Sequence, residues 1–388
     1  MKGFKEIFLH EMQTVFTEKR HFLFAIALPL LLFLFFTTLL KDGVPRDLPV
    51  VVVDYDRTAL SRQLIAQLDA TPEMKITEHI SSEEIAKTKV QSGQAYAVII
   101  FPAKFEQNVK QGRATEVLNF YNGTYLLPSG LINKAFQKVV GTFSAGASIQ
   151  SRMKKGSTAQ QATLNYKPVN LSAHVLFNPY TNYSYYLNTG FMPMMLQIFV
   201  MLTTIYSLGL TFKSNKGKAL YALSNENYMV AILGKALPYT LIFFVIGTIM
   251  NIMMFVWQGF PLNGSKFLLT LDTLLLIVSH QAIGIFFVAS AKSLRAALTS
   301  GTGVSAVSLS FAGLTFPTMG MPLAMQGLSY IFPFTHYLKV FVDQGQRGAP
   351  VFYSLPSIAA MIVITMMAML GWKKIKVHLQ AGAYPEHV

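Results

Sequence analysis

Two long uncharged runs, residues 190–211 and 236–257, are the feature that most constrains this chain. A transmembrane helix needs about 20 mainly apolar residues, so each run is long enough to cross a bilayer. The segment between them, FKSNKGKALYALSNENYMVAILGK at residues 212–235, is short and basic. This pattern predicts a membrane protein in which a basic loop joins two spans on one side of the bilayer.

The overall composition agrees with a membrane protein. Of the 388 residues 52% are hydrophobic and 13% are charged, whereas soluble domains carry roughly 25% charged residues. The chain has a net charge of +14 and contains no cysteine. The absence of cysteine excludes a disulfide framework and a cysteine-ligated metal site, and the basic charge is explained below by topology.

Runs of similar length and composition predict a bundle of six transmembrane helices. They lie at residues 22–40, 190–212, 236–257, 267–290, 297–316 and 352–372. Pro29 is expected to kink the first helix, and the small residues of the fifth are expected to bury it in the bundle. Residues 317–350 are apolar but broken by prolines, which predicts two short helices entering the membrane from outside. Residues 213–235 are predicted to form a loop, called the coupling loop below, and residues 373–388 a cytoplasmic tail. No small-residue cleavage site follows the first apolar run, which is therefore expected to be a retained anchor and not a signal peptide.

Residues 1–21 have apolar side chains at helical spacing, among them Phe4, Ile7 and Phe8. Lys5, Glu6, Glu11 and Glu18 are assigned to the other faces of the helix. This pattern predicts an amphipathic elbow helix lying at the membrane surface, with a plain cytosolic lead-in as the alternative.

Residues 41–187 have a mixed polar composition and alternate between strand and helix patterns. They predict an inserted α/β domain with a largely parallel sheet and a long helical stalk starting near Leu127. Asp54 and Asp56 end its first strand, but no glycine-rich loop, histidine or cysteine accompanies them in sequence. A catalytic role is therefore not expected.

The distribution of Lys and Arg predicts the orientation. With six spans, the side that carries both termini holds thirteen of them: Lys2, Lys5, Lys19, Arg20, Lys213, Lys216, Lys218, Lys235, Lys292, Arg295, Lys373, Lys374 and Lys376. The opposite short loops hold three: Lys266, Lys339 and Arg347. Both termini are therefore placed in the cytoplasm and the inserted domain outside the cell membrane. No basic groove motif supports nucleic-acid binding.

Four polar side chains lie within the predicted spans: Asn251, Asp272, His280 and Gln281. An intramembrane ionisable group is a functional hypothesis by default, although a single histidine more often makes a structural hydrogen bond. The chain also lacks the G-x-x-x-x-G-K-[ST] loop that cradles the phosphates of ATP. No cofactor is expected on the chain itself, and ATP could act only through a separate subunit.

Several stretches in this order resemble a known family. They are LPVVVVDYDRTALSRQL, YAVIIFPAKFEQNVKQG, FNPYTNYSYYLNTGFMP, ILGKALPYTL and YIFPFTHYLKVF. Together they cover nearly the whole chain and resemble ABC-2 type ABC transporter permeases of the bacterial exporter branch with a large periplasmic domain.

The resemblance implies an inner-membrane permease that pairs with a second permease, identical or different, and sits on cytoplasmic ABC ATPase subunits. It places the ATPase contact on the elbow helix and the coupling loop: Phe4, Phe8, Met12, Glu18, Gly217, Leu220, Leu223, Glu226 and Tyr228. It also implies export and the docking of a periplasmic adaptor and an outer-membrane channel. The apolar, aromatic-rich spans suggest a hydrophobic or amphipathic cargo, although helices in contact with membrane lipid have the same composition. The family loop often carries a G-T-x-E signature, whereas this chain has GKAL at residues 217–220.

Two other functions remain open. A non-transporting scaffold or sensor would bind a ligand or partner through the inserted domain. An ion-coupled exporter would depend on His280 or Asp272 and on no ATPase, although internal repeats, frequent in such transporters, are not evident.

Overall fold

The structure is a computed structural model that describes residues 2–166, 176–178 and 181–384. Contacts divide the chain into two units. The membrane unit comprises Met1–Gly43 and Val175–Val388, and the inserted unit is Val44–His174. Each unit is described by itself.

The chain begins with the elbow helix α1, Lys2–Thr17, followed by a short helix α2, Lys19–Phe22. The apolar run continues through a π-helical turn, Leu23–Ala27, into α3, Leu28–Leu39. Pro29 lies in the first turn of α3. Proline has no N–H and crowds the carbonyl four residues before it, and that carbonyl lies within the widened π turn. The irregularity expected at Pro29 is therefore a local π turn.

The inserted unit contains a four-stranded sheet and five helices among the residues that the structure describes. They are β1 Leu48–Asp54, α4 Ala59–Asp69, β2 Met74–Ile80, α5 Glu83–Gln91, β3 Ala97–Phe101, α6 Phe105–Gln111, β4 Leu118–Tyr121, α7 Leu126–Lys154 and α8 Ala159–Tyr166. The strand order is β2-β1-β3-β4. β1 runs parallel to β2 and β3, and only β4 is antiparallel.

The central strands of this sheet are buried on both faces. Val50, Val51, Val52 and Val53 of β1 are at most 1% exposed, because helices pack on both sides of a parallel sheet. α4 begins at Thr58, whose hydroxyl accepts from the backbone N–H of Ser61 in a capping box. This satisfies an otherwise unpaired N–H of the first turn.

The membrane unit resumes with five helices up to the broken outer segment. They are α9 Tyr183–Lys213, α10 Gly217–Leu223, α11 Tyr228–Ile252, which continues as the π turn Met253–Trp257, α12 Lys266–Ser290 and α13 Leu294–Phe311. α9 lies at the centre, since 67% of its most apolar window is buried. It packs against α3, α11, α12 and α13.

The segment predicted as broken helices contains several short elements. They are a 3-10 turn Thr318–Gly320, α14 Leu323–Ser329, and α15 Pro333–Phe341, which continues as a π turn Val342–Arg347. The chain ends with a 3-10 turn Val351–Tyr353, α16 Leu355–Leu370, a 3-10 turn Gly371–Lys374 and α17 Ile375–Ala381. α15 packs against α12 and α16 and is almost entirely buried.

Five helical stretches in the described part of the chain are long and apolar enough to cross a membrane. They are Lys19–Leu39, Tyr183–Lys213, Tyr228–Trp257, Lys266–Ser290 and Val351–Ala381. α13, the predicted fifth span, is not among them because serine, threonine and glycine lower its hydropathy. The expectation that α13 is buried in the bundle holds for one face only, which contains Gly301, Ser305 and Ser308 and contacts α9.

One predicted loop boundary is wrong. The loop predicted over 213–235 contains a short helix and ends at Asn227, whose side chain accepts from the N–H of Met229 and Val230 and thereby starts α11. Lys235 is therefore inside a helix and buried. The segment predicted as a tail is also folded in part, because Tyr384 packs its ring against Phe212 of α9.

Gly217 joins this folded tail to α10. Its N–H donates to the carbonyl of Gly382 at 3.0 Å, and a Cβ added at Gly217 would lie 2.8 Å from that oxygen. Because the obstacle is backbone, we predict that Gly217→Ala lowers the free energy of unfolding by about 1–3 kcal/mol. Thermal unfolding of the purified protein in detergent measures this loss.

The matched control is Gly327→Ala, since Gly327 lies in helix α14 and a Cβ there meets nothing within 4 Å. It should be neutral or stabilise by up to about 1 kcal/mol. Equal stability of the two variants would contradict the close approach of Gly217 to the tail.

Candidate functional site

One line of α1 is buried, and its residues are spaced four apart: Gly3, Ile7, Glu11 and Val15. Residues at this spacing lie on one face of a helix, and this face packs against α11. Glu11 had been assigned to a polar face, and that assignment is wrong. The apolar residues Phe4, Phe8 and Met12, expected to face a partner, are half-buried beside this line.

Glu11 is the centre of a buried polar cluster. Its carboxylate pairs with the Lys235 ammonium of α11. It also accepts a 2.9 Å hydrogen bond from the Ser207 hydroxyl of α9 and lies 3.3 Å from the Tyr239 hydroxyl. That hydroxyl lies 2.8 Å from Nδ1 of His21 in α2. These five side chains, here called the elbow network, are all buried and tie α1 and α2 to α9 and α11.

The ionisation of Glu11 follows from its neighbours. Burial by itself raises the pKa of this carboxyl, but the Lys235 ammonium and the Ser207 hydroxyl lower it by more, so the pKa lies below its ordinary value. A carboxylate of this kind stabilises the fold above its unfolded-state pKa of about 4.3. That stabilisation is lost as the pH falls through the lower folded-state value.

A second feature is the junction between the start of α1 and the end of α10. A Cβ on Gly3 would collide with the backbone carbonyl of Leu223, so only glycine permits this approach. Asn225 and Glu226 both have positive φ, 53° and 59°, and turn the chain into α11. A groove of about 600 Å³ lies at this junction and is lined by Gly3, Phe4, Lys5, Ser224, Asn225, Asn227, Met229, Val230 and Leu233.

The predicted ATPase-contact residues do not lie together in the structure, and some of them are buried. Leu223 is 47% exposed, Glu226 is exposed and Tyr228 is half-buried. Gly217 and Leu220 are buried in the membrane unit, so they position α10 and present no surface to a partner.

Glu18 lies at the opposite end of α1 from Phe4. A helix of this length spans about 24 Å, and Glu18 lines a separate cavity formed by the end of α1, α2 and α9. The predicted set therefore does not form one contiguous patch.

The elbow network was missed by the sequence reasoning. Glu11 follows Gly3 and Ile7 at intervals of four, which places it on their face, and Lys235 is a lone cation within an apolar helix. Since a buried charge in a helix bundle is almost always paired, each signal predicts a charged partner, although neither identifies it. Because Lys235 was assigned to the loop, its pairing with Glu11 was not predicted.

The polar residues predicted within the spans form two groups. In the first, the Asn251 amide of α11 donates to the Thr273 hydroxyl of α12 at 3.0 Å. Asp272 is fully buried, and within the described part of the chain neither of its carboxyl oxygens has a hydrogen-bond partner. The Asn251 carbonyl and the Tyr337 hydroxyl of α15 are also without partners there.

In the second group, Nδ1 of His280 lies 2.7 Å from the Leu276 carbonyl of its own helix, a contact in which the ring N–H donates. Gln281 donates to the Ala236 carbonyl at 3.2 Å and accepts from the Thr240 hydroxyl at 2.7 Å. Gln281 therefore fastens α12 to α11. His280 makes a structural hydrogen bond within α12.

Asp54 and Asp56 of the inserted unit organise the end of β1. The Asp54 carboxylate accepts from the Ser61 hydroxyl at 2.7 Å, and Asp56 accepts from the Thr58 hydroxyl at 2.6 Å and the Glu106 N–H at 2.9 Å. These bonds fix the turns into α4 and α6. Over the residues that the structure describes, no three His, Cys, Asp or Glu side chains gather as metal ligands.

Long apolar helices, a docked elbow and buried interhelical polar contacts define a multi-pass membrane protein. The chain belongs to the ABC-2 transporter family, because the family model described as "ABC-2 family transporter protein" matches residues 19–372. It is also similar to the linearmycin resistance permease protein LnrN of Bacillus subtilis (strain 168), with 26% identity over 134 residues. That match covers 34% of this chain and 34% of the relative. Both findings support a transporter permease.

The first prediction from this site concerns the Glu11–Lys235 pair. Glu11→Gln leaves the Lys235 ammonium buried without its counter-charge, and breaking such a pair costs about 3–5 kcal/mol. We expect that loss in the free energy of unfolding at pH 7, measured by denaturation of the purified protein in detergent. The difference from the unmodified protein should shrink as the pH is lowered below about 4.3, because the unfolded chain then binds a proton at Glu11 before the folded ion pair does.

Glu6→Gln is the matched control, since Glu6 is an exposed residue of the same helix and its change should cost under about 0.5 kcal/mol. The double change Glu11→Leu with Lys235→Met should recover most of the loss, because no charge then remains unpaired. If Glu11→Gln were as stable as Glu6→Gln, the ion pair would contribute nothing.

A second prediction compares two buried aspartates. Asp272 has no partner among the described residues, whereas Asp343 accepts from the Arg347 guanidinium at 3.1 Å. An unpaired charge in the membrane interior is expensive, so we expect a neutral Asp272. Asp272→Asn should therefore cost under about 1 kcal/mol, and Asp343→Asn about 1–3 kcal/mol through the lost charge-assisted bond. Thermal unfolding that ranked the two variants in the reverse order would contradict this.

Proposed function

We propose that this chain is the transmembrane permease subunit of an ATP-driven ABC-2 type exporter whose ATP is hydrolysed on a separate subunit. The observation that carries the proposal is the joint docking of the elbow helix and α10 on the membrane helices. Gly3 of α1 abuts Leu223 of α10, and Ile7 and Glu11 fix α1 to α11. A force applied to α10 would thus be transmitted directly to the bundle.

The groove at this junction is the proposed binding site for the ATPase. It lies beside Phe4 and Lys5 and is bounded by the turn from α10 to α11. Leu223 and Glu226 stand exposed next to it and offer one apolar and one acidic contact. The elbow and α10 would move as one lever when the ATPase closes, and the bundle would switch between two packings.

A second permease copy, identical or different, is proposed to pair through α13. The face of α13 away from α9 is exposed and carries the small residues Thr299, Thr302, Gly303 and Ala306. Small residues allow helices to approach closely in lipid, and such a face suits a neighbouring helix better than it suits acyl chains. The cargo would pass between the two protomers, lined by α9 and α13.

The remaining features of the proposal follow from charge and family. With α13 counted as a sixth span, the distribution of Lys and Arg supports a topology in which both termini are cytoplasmic and the inserted unit lies outside a bacterial inner membrane. There the inserted unit would dock a periplasmic adaptor and an outer-membrane channel. The similarity to a permease named for resistance supports efflux of a hydrophobic or amphipathic compound.

The test is co-purification of the tagged full chain from its native host in detergent, with the bound subunits identified by mass spectrometry. An ABC ATPase should be recovered with the unmodified chain, and Leu223→Asp should reduce its recovery at least tenfold, since a charge would replace an exposed apolar contact. Leu126→Asp, at an 85% exposed leucine of the inserted unit, is the matched control and should leave ATPase recovery unchanged.

The outcomes separate the alternatives. Recovery of periplasmic partners without any ATPase would overturn the exporter proposal in favour of a scaffold or sensor. Recovery of an ATPase that Leu223→Asp does not diminish would retain the exporter and overturn the docking surface on α10.

A further inference from the structure

A cavity of about 1100 Å³ opens in the membrane unit at the end of the elbow helix. Its walls are the carboxyl-terminal half of α1, helix α2, and the last turns of α9 with the residues that follow. It is distinct from the groove near Phe4, which lies at the other end of α1. Its volume is slightly above the range typical of small-molecule pockets, about 300–1,000 Å³.

The wall of this cavity has a net positive charge. Lys19, Arg20 and Lys216 contribute three exposed cations from two different parts of the chain, and Glu18 contributes one exposed anion. The remaining ionised wall residues, Glu11 and Lys235, neutralise each other within the elbow network. An anion entering the cavity would therefore meet more positive than negative charge.

The inner wall of the cavity is polar. His21 is 6% exposed and its ring contacts the Tyr239 hydroxyl. Arg20 is exposed, and its Nη1 lies 3.5 Å from the Tyr206 hydroxyl of α9. Most of its guanidinium donors are therefore available, and their planar arrangement matches a phosphate.

The position of the cavity decides which anion it suits. Arg20 directly precedes the apolar stretch of the first span, Leu23–Leu39, so the cavity lies at the boundary between headgroups and acyl chains. Leu210 in the wall offers contact to a lipid tail. Phe22 and Phe24, two and four residues after Arg20, are exposed apolar side chains at the start of the first span. Basic clusters next to a transmembrane helix attract anionic lipid headgroups.

We propose that this cavity binds one anionic phospholipid, with its phosphate between Arg20 and Lys216 and its tails along the first span. The bound headgroup would lie against the elbow network and hold α1 to α9. The ligand is defined by its phosphate and its acyl chains together. The proposal depends on the membrane placement of the first span and is independent of the ATPase partner.

The test uses the full chain in detergent, titrated with dioleoyl phosphatidylglycerol and examined by native mass spectrometry. One phosphatidylglycerol should bind tightly per chain, and phosphatidylcholine, which has no net charge, should bind at least tenfold more weakly. The double variant Arg20→Gln with Lys216→Gln should weaken phosphatidylglycerol binding at least tenfold, through the loss of two charge-assisted contacts. Lys216→Gln alone, at an exposed position, is the second variant if the double change impairs folding.

The matched control is Lys373→Gln with Lys374→Gln, which removes two exposed cations beside another span. It should leave phosphatidylglycerol binding unchanged. Equal weakening by both double variants would mean general attraction to a basic surface and would overturn the site. Full competition by millimolar inorganic phosphate would identify a soluble-anion site and overturn the lipid assignment. Loss of a bound ATPase from the Arg20 and Lys216 variant, with lipid binding retained, would also overturn it.

Discussion

The buried ion pair between Glu11 and Lys235 is the interaction on which the membrane unit depends. A carboxylate and an ammonium removed from water are tolerable only when they meet each other and further hydrogen-bond partners. Ser207 and Tyr239 supply those partners from two different helices. The pair therefore fixes the angle and register at which the elbow helix lies on α9 and α11, whereas apolar contacts alone would allow sliding along the helix surface.

The fixed position of the elbow helix determines which surface of α10 is exposed. With α1 held in place, Gly3 meets the end of α10, and the tail residue Gly382 meets its beginning at Gly217. The helix α10 is thus held at both ends by backbone contacts that tolerate no added side chain. The outer surface of α10, with Leu223, and Glu226 in the turn that follows are left for another molecule.

Apolar length and charge placement predict much of this fold from sequence. Runs without charge locate the long helices, because a bilayer offers no water to solvate charged groups or unpaired backbone groups, and a helix satisfies its own backbone. The strand and helix alternation of the inserted unit follows equally from local patterns, including the cap at Thr58. Helix ends were harder to predict. Asn227 starts α11 eight residues before the buried Lys235. A lone lysine is assigned to a loop unless its partner is known. That partner, Glu11, is 224 residues away in the sequence, and no local pattern joins the two.

The same limit explains why the sequence placed Phe4, Phe8 and Met12 at the contact and overlooked the cavity beside Glu18. An amphipathic pattern identifies which side chains avoid water, but a helix on a membrane protein has three surroundings: lipid, water and protein. Glu11 lies on the protein side because a specific cation lies opposite it. Leu9 and Phe16, which are 47% and 60% exposed, face outward from that docked line. Such exposed apolar side chains are suited to lipid, as the proposed position of the elbow helix at the membrane surface requires.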